Sequence, residues 1–482
     1  MTIAALLFQG NRGLWGTDEG RYSNVALLML ESGDWLVPHR HPEFAHYTKP
    51  PLTYWAIALS VKVFGMQEWA LRLPSALSFV GTTLLIFLIG QRLVPRRAWL
   101  APVIFFSNLV AFLAANLVNT DSLLTFFETL GMWGFVAMWH AQTPADARVY
   151  RRWMWAGFAL AFITKGPPAL LPLLSVLLYR RFSGLKFSVS MFSVGSFSLF
   201  LAIALPWFIA VTLKDPSLIG YFLGYEVYDR VFSSVHDRNS QWYGPLVVYG
   251  PVLLLSLLPW GLLAAILASS RYRTALRAYF QRLRWERFRQ IHQESFFLIT
   301  WFLIPLLVFC LARSRLWLYI LPLLVPMALA IARALQYVPV RRWMAVALAA
   351  WIFGLIMIKG YAPRFSHTKD AREIAEMIKR VVTTPPREIV FYEEPAMYGL
   401  KFYLGSSIRR VAADQRKDQS YDDRFVDVVA KNPEQSLWMT NLPREALLQN
   451  ALAEHGWVGT VLARGEAYSV LSVTRPGNPV RP

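Results

Sequence analysis

The stretch ESFFLITWFLIPLLVFCLARSRLWLYILPLLVPMALAIARAL, Glu294 to Leu335, holds two apolar runs parted only by Ala312, Arg313, Ser314 and Arg315. Each run approaches the roughly 20 residues that a helix needs to cross hydrocarbon. A backbone in lipid must satisfy its own N–H and C=O groups, so both runs, 294 to 311 and 316 to 335, read as spanning helices. Further runs lie near 70 to 90, 98 to 118, 122 to 140, 187 to 212, 244 to 270 and 343 to 361. The region 153 to 179 supplies two shorter ones that meet at Lys165-Gly-Pro-Pro168, where proline ends or kinks a helix. With 55% hydrophobic and 15% aromatic residues over 482 positions, the composition excludes an ordinary soluble protein. The fold class expected is a multi-pass α-helical membrane protein.

Basic residues set the orientation. Arg92, Arg96 and Arg97, then Arg148, Arg151 and Arg152, then Arg180, Arg181 and Lys186, then the run RYRTALRAYFQRLRWERFRQ at 271 to 290, then Arg341 and Arg342 alternate as cytoplasmic loops. The opposite side receives loops 11 to 69 and 214 to 243, the Asn119-Thr120-Asp121 turn, Lys165, and the chain after 361. There the acids gather, among them Asp18, Glu19, Glu43, Asp121 and Asp237. The net charge of +19 is thereby assigned to topology and anionic lipid, with no basic-aromatic nucleic-acid motif. The single cysteine, Cys310, excludes a disulfide framework. The opening MTIAALLF is too short to span, which leaves the start of the first span open, and without a basic n-region no signal peptide is expected.

Residues 1–361 thus read as the transmembrane domain, and 362–482 as a small soluble extracytoplasmic α/β domain. In the latter, DAREIAEMIKRVV and PREALLQNALAEHG have helical period, while REIVFYEE, VGTVLA and YSVLSV are strand-like.

Three polar features stand out on the extracytoplasmic side. In TDEGRYS, Thr17 to Ser23, Asp18 and Glu19 sit side by side. A carboxylate near the interface is suited to accept a proton, but both acids also suit the first turn of a helix, where they complement its dipole. Asp121 in NTDSLL poses the same choice between cap and functional acid. In HYTKPPLTYW, Pro50 and Pro51 hold Lys49 extended, and an ammonium fixed at headgroup depth is a phosphate ligand or an ordinary interfacial lysine.

Taken together, the acidic pair followed by Arg-Tyr, the Lys-Pro-Pro-Leu with Tyr-Trp, the Asp of the second loop, Lys165-Gly-Pro, and ARSRLWLYILPLLVP resemble the integral-membrane glycosyltransferases of the C superfamily. They are similar above all to the lipid A aminoarabinose transferases and protein O-mannosyltransferases. The resemblance covers roughly residues 14 to 335. It implies an inverting transferase that moves a sugar from a polyprenyl-phosphate donor to lipid A, a protein or an envelope glycan outside the cytoplasm of a bacterial inner membrane. It further implies catalytic roles for Asp18, Glu19 and Asp121, and donor-phosphate binding by Lys49, Lys165, Arg315 and Tyr319. No nucleotide or redox cofactor is needed.

Departures from the pattern bear on the metal. The lipid A enzymes carry a Glu before Lys-Pro-Pro where this chain has Thr48, so the divalent metal held in those enzymes is left with His236, beside Asp237, and the earlier His39, His41, Glu43 and His46. Arg315 replaces the usual lysine, a planar fork in place of a point charge. Two other classes stay open: a flippase for lipid-linked sugar, although no internal repeat is found, and a membrane scaffold whose soluble domain binds a partner.

Overall fold

Residues 121–165 fold into a helical hairpin because the chain has a sharp stop and restart at 140–143. Helix Asp121–Trp139 ends there, and helix Pro144–Lys165 begins with the Thr143 side chain accepting from the Asp146 N–H and Pro144 in the first turn. The two helices touch backbone to backbone through glycine. A Cβ on Gly157 would stand 2.8 Å from the Gly131 Cα and 3.0 Å from the Leu130 carbonyl carbon. Such close approach is how helices associate in lipid, where no hydrophobic force separates them from the solvent tails.

The computed structural model describes residues 1–183, 188–229, 239–264, 293–365, 369–413, 423–431 and 433–476. The chain forms two compact units, Met1–Leu7 with Thr48–Thr53 and Pro74–Lys359, and Phe8–Tyr47 with Tyr54–Leu73 and Gly360–Pro482.

The first unit is helical around a core that includes Phe79, Phe105, Phe112, Phe135, Phe158, Phe297 and Trp301. Among the described residues, Glu68–Leu93, Gln293–Leu311, Trp317–Leu335 and Arg342–Arg364 are long and apolar enough to cross a membrane, and the pair Val194–Ala204 and Pro206–Lys214, bent by 46°, is a fifth such segment if taken as one span. On helix Arg342–Tyr361, Val346, Phe353 and Ile358 are exposed, as a lipid-facing surface requires. The protein is a multi-pass α-helical membrane protein with a C-terminal α/β region.

Local polar chemistry breaks two of the expected straight spans. The run 98 to 118 is two short helices, Leu100–Phe106 and Leu109–Ala114. Asn108 caps the second, donates to the Ser256 carbonyl at 2.8 Å, and its neighbour Ser107 accepts from the Trp260 indole at 2.7 Å, so the break is satisfied inside the core. The run 316 to 335 starts as a 3₁₀ turn, Trp317–Leu323, before helix Leu324–Leu335, because Pro322 and Pro326 have no N–H to donate. The run 244 to 270 is helical over Gly244–Ser256. Its end and the basic run 271 to 290 lie outside the described residues.

In the second unit, hairpin strands β1 (His39–His41) and β2 (Phe44–Ala45) precede a sheet of β3 (Glu388–Tyr392), β4 (Ser407–Ala412), β5 (Asp423–Arg424), β6 (Ser436–Asn441), β7 (Val458–Arg464) and β8 (Tyr468–Thr474). The order is β5-β4-β3-β6-β8-β7, parallel from β5 to β6 and antiparallel beyond. Val390, Tyr392, Trp438, Leu448 and Leu471 fill its core. The hairpin is fastened to the sheet by charge. Arg409, 6% exposed, bonds Glu388 at 2.8 Å, Glu43 at 3.0 Å and Asp423, while the His41 Nε2 lies 3.0 Å from Glu388.

Replacing Gly157 with Ala is expected to lower stability by about 1–3 kcal/mol, since the new methyl meets backbone that cannot yield. Gly354→Ala, which meets open space, serves as the control. Thermal melting of both variants in the same detergent checks this, and equal midpoints would refute the packing account.

Candidate active site

The hairpin's arms are 19 and 22 residues long, and the start of one helix comes beside the end of the next, where Asp121 meets Lys165 in an ion pair. Both side chains are buried, 9% and 7% exposed. Capping is done elsewhere: the Asn119 Oδ1 accepts the Ser122 N–H at 2.7 Å, and the Asp121 carboxylate goes to Lys165. Lys165 closes its helix, where a cation suits the dipole, and Gly166, at φ +78°, turns the chain into Pro167–Leu170. The Lys165 Nζ stands 4.3 Å from the centre of the Tyr319 ring, so Tyr319 offers its face to the ammonium.

Arg315 is buried and engaged with main chain. Its Nη1 donates to the carbonyls of Asn239 at 2.6 Å and Gln241 at 3.0 Å, its Nη2 to that of Cys310 at 2.9 Å, and the Asn239 side chain returns a bond to the Arg315 carbonyl at 3.1 Å. The planar fork pins the end of loop 214 to 243 to the turn after helix Gln293–Leu311. In this conformation Arg315 spends those donors on carbonyls. Lys49 is half-buried just before helix Leu52–Phe64.

Two members of this neighbourhood were not singled out by sequence. Glu128, 4% exposed, lies seven residues after Asp121 and interacts electrostatically with Lys165 and Asp121. Among the described residues the Tyr249 hydroxyl is buried without a hydrogen bond, and it feels Tyr319, Arg315 and Asp121. The signal for Glu128 was available: an acid inside an apolar helical run at i+7 from Asp121. For Tyr249 only the fold supplies it.

The adjacent acids of the second unit have opposite settings, since neighbours on a helix point about 100° apart. Asp18 is half-exposed and takes the Arg21 guanidinium at 2.6 Å. Glu19 is 3% exposed and enclosed: Arg12 reaches its two oxygens at 2.7 and 3.2 Å, Arg72 at 3.0 and 3.3 Å, and the Trp15 N–H at 2.9 Å. Burial alone would push this carboxyl up, but the two guanidiniums hold it at about 2. A carboxylate so strongly held as an anion is a weak base, and its geometry is that of a structural centre. Arg72 extends that centre to the carbonyls of Gln9, Arg12 and Gly13.

His236 and Asp237 lie outside the described residues. Among the described residues no group of three metal-ligating side chains is present. His41 and Glu43 are committed to Glu388 and Arg409, and Thr48 supplies no anionic ligand, so the described donors do not fit a metal. No step is derived through one.

Residues 48–209 match the dolichyl-phosphate-mannose-protein mannosyltransferase family. An undecaprenyl phosphate-alpha-4-amino-4-deoxy-L-arabinose arabinosyl transferase of Pseudomonas fluorescens is 31% identical over 340 residues, which is 69% of this chain and 58% of that protein. Its counterpart in Proteus mirabilis is 31% identical over 347 residues, 69% of this chain and 57% of that protein. The crystal structure of ArnT from Cupriavidus metallidurans bound to undecaprenyl phosphate has a TM-score of 0.76 at 19% identity, covering 98% of this chain and 96% of that one. The chain is thus similar in sequence to integral-membrane glycosyltransferases over these ranges and shares the fold of that solved structure. It spans less than two thirds of the length of the curated relatives it matches.

The Glu19 centre predicts a pH dependence. In the second unit Glu388, too, is held at about 2, as the His41 hydrogen bond and Arg409 overcome the upward push of burial. Both carboxyls sit below their ordinary 4.5, so the folded state binds fewer protons than the unfolded one in that range. Their stabilisation is complete above about pH 4.5 and is lost as pH falls toward about 2. Glu19→Gln is expected to cost about 3–5 kcal/mol at neutral pH, because two buried guanidiniums lose their anion, and to flatten this acid slope. Melting curves between neutral pH and pH 3 read both effects, and an unchanged acid slope in the variant would refute the assignment.

Proposed function

We propose that the protein is an inverting glycosyltransferase that uses a polyprenyl-phosphate sugar as donor, with lipid A as acceptor. The buried Asp121–Lys165 pair over the Tyr319 ring is the observation that carries this reading. A buried lysine is costly unless it is paired or has a task, and a preorganised ammonium in a low-dielectric setting is suited to charge that gathers on a leaving phosphate. The two arabinosyl transferases above are named for undecaprenyl-phosphate donors, and their similarity supports the same donor class here.

In this reading an acceptor oxygen bonds to the anomeric carbon from the face opposite the phosphate, the C–O bond to the phosphate breaks, and the electron pair leaves on the polyprenyl phosphate. Lys165 meets that phosphate, and Asp121 orients Lys165. Asp18 takes the acceptor's proton and Lys49 adds positive charge, roles that rest on the motif resemblance. The placement of these groups and of the C-terminal α/β region outside the cytoplasm, in a bacterial inner membrane, follows from the basic loops and belongs to the same proposal.

The purified protein is incubated with undecaprenyl phosphate bearing labelled 4-amino-4-deoxy-L-arabinose and with lipid A. Label on lipid A and release of undecaprenyl phosphate are expected. Asp18→Asn is expected to abolish transfer with insertion intact, and Lys165→Ala to reduce kcat roughly 100-fold or more, as removal of one charge-stabilising donor does. Intact donor moved across the bilayer without transfer would favour a flippase, and neither outcome a scaffold. Full activity in Lys165→Ala would remove that residue from the mechanism.

A further inference from the structure

We propose that Glu128 selects the transferred sugar by accepting a hydrogen bond from one hydroxyl or ammonium substituent seated in the cavity that Glu128 lines. The inference rests on the glycosyl-transfer reading above. Glu128 lies seven residues along helix Asp121–Trp139 from Asp121, close to two full turns, so the two acids share a face with Glu128 about 10 Å further along. Its carboxyl is buried and makes no hydrogen bond among the described residues. An ionisable group buried in this way is expensive to keep.

The cavity explains what would satisfy it. Trp301 and Phe309 form part of the wall, and four of the nine lining residues are Pro168, Pro172, Pro305 and Pro322. Proline has no backbone N–H, so these four positions offer the carboxyl no main-chain donor. An entering group can supply that donor. Space there admits about one water-sized group, which suits one substituent of a ring and excludes the ring itself. Charge leads the same way. Among the described residues Lys165 is the cation that acts on Glu128, and it is already ion-paired to Asp121, so an entering ammonium would complete the balance and a hydroxyl would at least supply the hydrogen bond. A sugar without that substituent would leave the buried acid unpaired, and sites built around a hydrogen bond reject such analogues strongly.

The test uses the full-length protein in lipid nanodiscs with undecaprenyl phosphate carrying 4-amino-4-deoxy-L-arabinose, L-arabinose, mannose, or deoxy versions of these that lack one hydroxyl or the amine at a time. In the wild type, one deoxy position is expected to lower kcat/KM by roughly 10- to 100-fold. Glu128→Leu is expected to erase that discrimination, and Glu128→Gln to keep a hydroxyl donor while losing an ammonium donor. Competition by undecaprenyl phosphate without sugar should be unchanged in both, which also reports an intact fold. Equal loss on every donor, altered competition by the bare phosphate, or wild-type discrimination in both variants would overturn the role of Glu128 while leaving the transferase reading in place. Absence of transfer by the wild type from every donor would overturn the transferase reading and this inference with it.

Discussion

A charge withdrawn from water must have its partner within reach, and the meeting of Lys165 with Asp121 is the constraint on which the first unit turns. The chain provides no disulfide and no described metal to enforce it. It is enforced by glycine, because the contact of Gly131 with Gly157 lets two helix backbones touch and so fixes their register. Once the register is fixed, the N-terminal turn of one helix lies beside the C-terminal turn of the other. Each charged group then sits at the helix end its sign prefers, a carboxylate at the start and an ammonium at the finish. Tyr319 completes the arrangement from a third segment, where prolines have already loosened the helix into a 3₁₀ turn.

The second unit solves a related problem with arginine. Glu19 and Glu388 are both carboxylates withdrawn from water, and each is kept ionised by planar guanidiniums that bind two or more partners at once. Arg72 and Arg409 act as hubs that tie sequence-distant loops together, which lysine, a single point charge, could not do. Asp18 stands one residue from Glu19 and escapes this enclosure only because the helix rotates it away.

Much of the architecture was legible in local pattern. The spans at 70 to 90, 294 to 311 and 343 to 361, the paired helices meeting at Lys165-Gly-Pro-Pro168, and strands β3, β7 and β8 of the C-terminal sheet all follow from hydropathy and period, whereas β4, β5 and β6 were not read. Asp121 and Lys165 could be named as polar exceptions in apolar surroundings, although their union could not. Arg315 shows the limit from the other side: the motif resemblance implied a phosphate ligand, and in this structure its neighbours are the carbonyls of Asn239, Gln241 and Cys310.

By itself the sequence determined that this chain enters a membrane many times, roughly where several of its apolar helices lie, and that its last quarter is α/β, because length, hydropathy and proline act over a few residues. Only tertiary structure decided that the run 98 to 118 breaks at Ser107 and Asn108, that residues 39 to 45 belong with a sheet formed by the far end of the chain, that Glu19 is enclosed while Asp18 is open, and that Glu128 faces a proline-walled cavity. Each of these depends on which distant group supplies a hydrogen bond or a counter-charge. That choice is made by packing between segments, and no local period records it.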